Sequence, residues 1–222
     1  MTERVVVIGA SGFGRECLDA LEAMMAAGER LEVLGVVDDS PSAVNLRRLA
    51  ERDIPYLGTR ADWLESGTDR ASYVVGIGNP AVRRQLVDEL DAAGLRPFTA
   101  VHPSATFGAR TTLAEGVVVC AGAAISTNVR LGRHVHVNPN VTIGHDAELG
   151  DFVSVNPAAV ISGEVVVGEG TLVGAAATVL QNLTVGERVV VGAGAVVTRN
   201  VPPVVVVKGV PGRWSEEPEC SE

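Results

Sequence analysis

His145 and Asp146 stand side by side in Ile143-Gly-His-Asp146. An imidazole next to a carboxylate can move a proton near neutral pH. The neutral ring accepts the proton of an incoming nucleophile, and the carboxylate holds its tautomer and stabilises the imidazolium as charge develops. No Ser or Cys stands beside His145 in the sequence as a covalent nucleophile would, so direct attack on an activated acyl group is the simpler chemistry. An ordinary solvated histidine would show the same adjacency, and spacing alone does not separate the two readings.

A second group of residues is suited to a nucleotide. Val5-Val-Val-Ile8 reads as a buried parallel strand, and Gly9-Ala-Ser-Gly-Phe-Gly14 with Arg15 turns the chain into an amphipathic helix over roughly 15–27. Such a loop lets the backbone approach phosphate oxygens, and the helix start offers free N–H groups. Glycine-rich strand-to-helix turns also arise from packing alone. Asp38-Asp39 ends the next strand, Glu32 to Val37, where an acidic residue can accept hydrogen bonds from a ribose or a base; solvation would explain the pair equally. Gly78-Asn79 ends a third strand, Tyr73 to Ile77, before a helix from Pro80 to about Ala93. A further helix is expected over about 42–52. Three loops thus converge at the carboxyl end of one sheet, where open α/β sheets bind ligands.

The elements that position these groups fall into two parts. Residues 1–97 alternate strand and helix as a truncated Rossmann-like α/β domain, with one mononucleotide-binding unit and no evident hydride partner. A nucleotide-linked sugar therefore fits better than a dinucleotide. From Val101 to Val197 every sixth residue is a branched aliphatic or Phe without a slip, through Phe107, Leu113, Val119, Ile125 and onward. Helices and hairpins have periods of 3.6 and 2, so this pattern requires a solenoid of hexapeptide repeats. Residues two before each aliphatic, such as Val117, Ala123, Val135 and Val141, are small or β-branched and point inward with it. The expected all-β domain spans 98–213, followed by an acidic, disordered tail at 214–222.

Within a hexad, positions two and three after the aliphatic are corner residues, and His145-Asp146 fall there. If three hexads make a coil, residues 18 apart stack, so Thr127-Asn128 and Gly163-Glu164 flank the pair in a polar column. By the same phase His134 is a corner residue and His136 an outward strand residue. Solvation explains both, and also His102 at the junction between the two parts.

The formal charge of −9 over 222 residues argues against nucleic acid as a partner. The N-terminal apolar run is too short for a signal peptide or membrane span, so a cytoplasmic protein without membrane insertion is expected. Cys17, Cys120 and Cys220 lack metal-type spacing, no disulfide framework is indicated, and no metal is expected. Cys120 only fills a repeat position.

Taken together, Ile8-Gly-Ala-Ser-Gly-Phe-Gly-Arg15, Val37-Asp-Asp39, Gly76-Ile-Gly-Asn79, Ile143-Gly-His-Asp146, Leu149-Gly-Asp-Phe152 and Gly209-Val-Pro-Gly-Arg213 make the chain resemble one family over about residues 4–213. These are the bacterial sugar acetyltransferases that couple a small nucleotide-sugar-binding domain to a left-handed parallel β-helix. They include the UDP-4-amino-sugar N-acetyltransferases and the sialic-acid O-acetyltransferase-like proteins. The resemblance implies acetyl transfer from acetyl-CoA to the amine of a nucleotide-linked amino sugar in a homotrimer with sites between neighbours.

His145 would be the general base and Asp146 its partner, where one member of the family has Glu. Asn138 would line the substrate side with Gly9, Ser11, Gly12, Phe13, Gly14, Arg15, Asp38, Asp39, Gly78 and Asn79. Gly163 N–H would meet the oxyanion, Ser154 the thioester end of the cofactor, and Gly192, Ala193, Lys208 and Arg213 its nucleotide end. Some relatives carry His where this chain has Phe13 and Ser154, and Lys where it has Arg15. These departures leave the sugar, the acyl group and N- against O-acylation open. Two other classes are weighed against this reading. A non-catalytic nucleotide-sugar-binding protein would not need His145-Asp146, and a carbonic-anhydrase-like β-helix would need a histidine trio in a phase that this chain lacks.

Overall fold

The computed structural model describes residues 2–65 and 71–215, so the tail expected at 214–222 lies outside the described residues apart from Trp214 and Ser215. The N-terminal part is a three-stranded parallel sheet in the order β2-β1-β3, formed by β1 (Glu3–Ile8), β2 (Leu31–Val37) and β3 (Ser72–Val75). Helices α1 (Gly12–Ala26), α2 (Ala43–Ala50) and α4 (Pro80–Ala92) stand close to where the sequence puts them. A short helix, α3 (Arg60–Glu65), was not anticipated; Thr59 and Asp62 cap its start, with the Asp62 carboxylate accepting from Thr59 N at 3.0 Å and Oγ1 at 2.7 Å.

Glycine makes the close contact between α1 and the sheet. A Cβ on Gly14 would lie 1.8 Å from the Gly9 carbonyl oxygen, and one on Gly76 would lie 2.4 Å from the Gly14 Cα. Nothing lies within 4 Å of a Cβ on Gly12 or Gly78, so packing does not explain those two glycines. The packing account of the loop holds for Gly14 and fails for Gly12.

From Ala100 onward the chain is a parallel β-solenoid of two-residue strands. Its three faces hold seven, six and five strands. The first face runs from Ala100–Val101 through Val118–Val119, His136–Val137 and Ser154–Val155 to Val206–Val207. Thr106–Phe107 to Val196–Val197 form the second face, and Thr112–Leu113 to Thr184–Val185 the third. Each strand pairs with the strand 18 residues on, as Thr142 with Val160 and Glu148 with Val166, except at the C-terminal end, where Val190 pairs with Val206. The sixth-residue aliphatics and their inward partners form one continuous core in which Val141, Ile143, Ala147, Val153 and Ile161 are fully buried. The second residue of most corners has a positive φ, +59° at Asp146, a conformation that Asn and Asp tolerate better than other non-glycine residues.

The two parts are packed together. Pro97 bridges to Tyr73 beside the N-terminal sheet, and the chain then enters the first face at Ala100. Cys17, Leu18 and Leu21 of α1 share a buried cluster with Ala100, Val118 and Cys120. Cys120 therefore belongs to the junction between the parts, beyond filling a repeat. Arg133 reaches Asp91 at 3.0 Å, and Arg84 pairs with Glu169. The N-terminal part thus covers the lower half of the first face, and the upper half stays open at Val190 and Val206.

Candidate active site

The turn after strand Thr142–Ile143 carries His145 and Asp146 on the corner between the second and third faces, with side chains 57% and 44% exposed. His145 Nδ1 lies 2.7 Å from Asp146 Oδ2, and Asn128 one coil below donates its Nδ2 proton to Asp146 Oδ1 at 2.8 Å. The hydrogen bond from Asn128 and then that from His145 hold the Asp146 carboxyl below the usual carboxylate range. With the Nδ1 proton turned to this carboxylate, Nε2 is left as the basic nitrogen of a half-exposed ring.

On the other side, one coil above, the ring lies against Gly163. A Cβ there would meet His145 Cε1 and Nε2 at 2.6 Å, so only glycine admits the imidazole in this pose. Gly163 N–H donates to no group among the described residues. Asn128 is a partner that the 18-residue stacking placed but assigned no role.

The second candidate region is the cleft at the carboxyl ends of β1, β2 and β3. It encloses about 290 Å³ and is lined by Gly9, Asp38, Asp39, Ser40, Arg60, Ile77, Gln85 and Glu89, among others. Asp38 accepts from Ala10 N at 2.7 Å and from Ser40 N at 2.9 Å, so much of this carboxylate is spent shaping the glycine loop. Asp39 accepts from Arg60 N at 2.8 Å and Nε at 2.7 Å; partial burial raises its pKa, but these bonds outweigh it and the net shift is downward. Arg60, which also pairs with Glu89, is the cation that the sequence reading missed, because it sits on the unanticipated α3. Arg15 turns away and ties α1 to α2, donating to Ala10 O at 3.0 Å and to Asn45 Oδ1 at 2.8 Å. Asn79 caps α4 by accepting from Ala81 N and Val82 N, so its side-chain oxygen serves the helix.

Several expectations change at the junction. His134 and His136 are each 1% exposed and their ring nitrogens have no hydrogen-bond partner among the described residues, so solvation does not account for them. The first face is covered by protein there. His134 stacks between Tyr73 and Phe152, with ring centres 6.0 and 5.4 Å away, and His136 stacks on Phe13 at 4.6 Å. Burial first, and nearby Arg133 and Arg83 next, push His134 down to about 4; burial pushes His136 well below its ordinary value.

Ser154 is also 1% exposed: it donates to Gly78 O at 2.9 Å and accepts from Arg83 Nη2 at 2.9 Å, so no hydroxyl is left over for a thioester. Asn138 is 7% exposed and donates to Val155 O at 3.0 Å. His102, by contrast, remains half-buried, its Nδ1 accepting from Ser104 N at 3.0 Å.

Gly192 and Ala193 lie on the corner between the first and second faces near the C-terminal end. Lys208 follows the last strand of the first face, and its backbone pairs with that of Arg213. A Cβ on Gly192 would lie 3.8 Å from Lys208 Cγ, so these residues form one group. The structure therefore separates three sets within one chain: the His145 corner, the cleft, and the Gly192 to Arg213 end. The covered first face lies opposite the edge that bears His145. Among the described residues no cluster suits a metal ion, and no helix is long and apolar enough to cross a membrane.

Residues 4–90 match the PglD N-terminal domain family, and 164–199 match the bacterial transferase hexapeptide family of six repeats. Among solved structures the chain is similar to PerB from Caulobacter crescentus in complex with CoA and GDP-perosamine, at 30% identity and a TM-score of 0.83, over 97% of this chain and 98% of that one. It is also similar to the acetyltransferase domain of PglB from Neisseria gonorrhoeae FA1090 in complex with acetyl coenzyme A, at 30% identity and a TM-score of 0.85, over 97% and 100%. WeeI from Acinetobacter baumannii AYE, at 24% identity, 0.83 and 96% and 100% coverage, shares the fold. No curated protein sequence matches the chain.

Proposed function

Because the chain belongs to the hexapeptide-repeat sugar acetyltransferases, we propose that it moves an acetyl group from acetyl-CoA to the amine of a nucleotide-linked amino sugar, with His145 as general base. His145 Nε2 takes the proton of the sugar amine as its nitrogen attacks the thioester carbonyl. Asp146, braced by Asn128, stabilises the imidazolium that results. Gly163 N–H, which has no other acceptor among the described residues, meets the oxyanion. The C–S bond then breaks, the amide forms, and the thiolate of CoA leaves with a proton from the ring.

The observation that carries this reading is the pose of His145, oriented by a held carboxylate and seated on a glycine that fits nothing larger. The nucleotide is assigned to the cleft beside Gly9 and Asp39, where Arg60 adds a cation near the phosphates. CoA is assigned to the surface that ends at Lys208 and Arg213, whose charges suit its phosphates. Domain limits of 1–97 and 98–213 follow the same division of roles.

Opposition of the His145 edge to the covered face argues for a site shared between chains. A convex corner alone cannot exclude water or fix two substrates. A closed three-fold ring with heterologous interfaces sets each corner against a neighbour. The reading is tested by incubating the protein with acetyl-CoA and a panel of 4-amino and 3-amino sugars linked to GDP, UDP or dTDP. Acetylation of an amine, detected by mass, is expected. Acetylation of a hydroxyl would overturn the N-transfer assignment, and binding without turnover of any acceptor would overturn the enzyme assignment.

A further inference from the structure

Arg83, on the first turn of α4, is fully buried and yet meets no carboxylate among the described residues. Its guanidinium instead donates to oxygens of two structural units. Nη1 reaches Ile77 O at 2.8 Å and Gly78 O at 3.2 Å, at the strand end beside the cleft. Nε reaches His134 O at 3.1 Å, and Nη2 reaches Phe152 O at 2.7 Å and Ser154 Oγ at 2.9 Å, all in the solenoid. Ser154 closes the arrangement by donating to Gly78 O at 2.9 Å.

Removing a guanidinium from water without a counter-ion is costly, and neutral carbonyl dipoles offset only part of it. Burial pulls its pKa down to about 9. A well-packed apolar residue would serve stability as well or better. The feature that only a planar, five-donor fork supplies is simultaneous attachment to several fixed carbonyls.

The attached carbonyls are placed with meaning. His134 and Phe152 stand 18 residues apart at successive corners, directly before and directly after the coil that carries His145. We infer that Arg83 is a positioning residue that locks the Ile77–Gly78 edge of the nucleotide cleft to the two ends of the catalytic coil. It fixes the orientation of the bound sugar relative to the solenoid without touching either substrate. This inference rests on the acetyltransferase reading given above. In a ring of identical chains one angle, set in each chain, governs every site.

The test compares Arg83→Met and Arg83→Lys with the wild type. Each is measured by calorimetry for nucleotide-sugar and acetyl-CoA binding, and turnover is expressed per binding-competent site. Displacing reacting groups by about an ångström can cost about 10²-fold. Arg83→Met should therefore retain both affinities within about threefold while kcat falls about 10²-fold. Arg83→Lys, with charge but fewer donors, should recover about tenfold of that loss. Wild-type kcat per competent site in Arg83→Met would overturn the inference, as would a loss that tracks the folded fraction alone.

Hydrogen exchange supplies a readout that does not depend on turnover. In Arg83→Met, amides of residues 76–82 and 133–137 should lose protection together while those of 160–197 do not. Unchanged protection at 76–82 would refute the lock whatever the enzyme acetylates. An inactive wild type with this exchange pattern would refute only the acetyltransferase reading.

Discussion

His134 and His136 lie at the covered first face, where the coil that carries His145 begins, and His145 lies on the opposite edge of that coil. The hexad phase points all three away from the solenoid core. The first two are enclosed by Phe13, Tyr73 and Phe152, have no hydrogen-bond partner among the described residues and are held neutral by burial. His145 keeps solvent on one side and a braced carboxylate on the other. The difference teaches that repeat phase decides inward or outward, whereas what covers a face decides whether an outward imidazole can work as a base.

The contrast breaks first at His145. Replacing it with Ala should lower kcat by about 10³-fold, inside the range of general-base catalysis, and leave the melting temperature and acetyl-CoA binding near wild type. His134→Ala should do the reverse, lowering the melting temperature while turnover per folded molecule stays within about threefold. If His134→Ala were the slower enzyme at equal folded fraction, the assignment of roles would be inverted.

Acid sharpens it next. His134 titrates near its ordinary value when unfolded and at about 4 when folded, so the unfolded chain binds more protons between these values. Stability should thus be intact above about pH 6.5 and fall by about 3 kcal/mol as the pH drops to about 4. His136 shifts the same way. Urea melts at pH 7 and 4.5 should show this loss, and His134→Phe should remove most of the His134 share. Equal pH slopes for wild type and variant would contradict the buried-neutral account.

A smaller effect belongs to the cleft. Asp39→Ala leaves Arg60 only Glu89 as a carboxylate partner and removes an acceptor, and should weaken nucleotide-sugar binding about tenfold, about 1.4 kcal/mol, with acetyl-CoA binding unchanged. Calorimetry that finds the loss on the CoA side would move the nucleotide elsewhere.

The sequence was most legible where the pattern is periodic. One aliphatic in every sixth place sets the strands, the corners and the stacking of Asn128, Asp146 and Gly163, so the His145 corner could be placed in advance. The strand-end loops of the N-terminal part were legible for a similar reason, since Gly14 and Pro80 carry strong local signals. What stayed hidden was everything that depends on two parts meeting. Ser154, Asn138 and His136 carry the phase of exposed positions and are buried because α1 and α4 lie on that face. Arg83 reads as one more charge on an amphipathic helix, and Arg60 lies on a turn whose caps are short and polar. No local period announces such contacts, which join residues up to 85 positions apart.

The most direct test of a site shared between chains is complementation. His145→Ala and the Asp38→Ala, Asp39→Ala double variant, each defective in one half, are co-expressed with different tags and mixed assemblies are isolated. If the corner of one chain serves the cleft of the next, about a third of the sites in each mixed ring of three regain both intact halves. Turnover at low nucleotide-sugar concentration should then rise well above the mean of the two parent variants. Turnover equal to that mean would show that corner and cleft act within one chain, and would contradict the account.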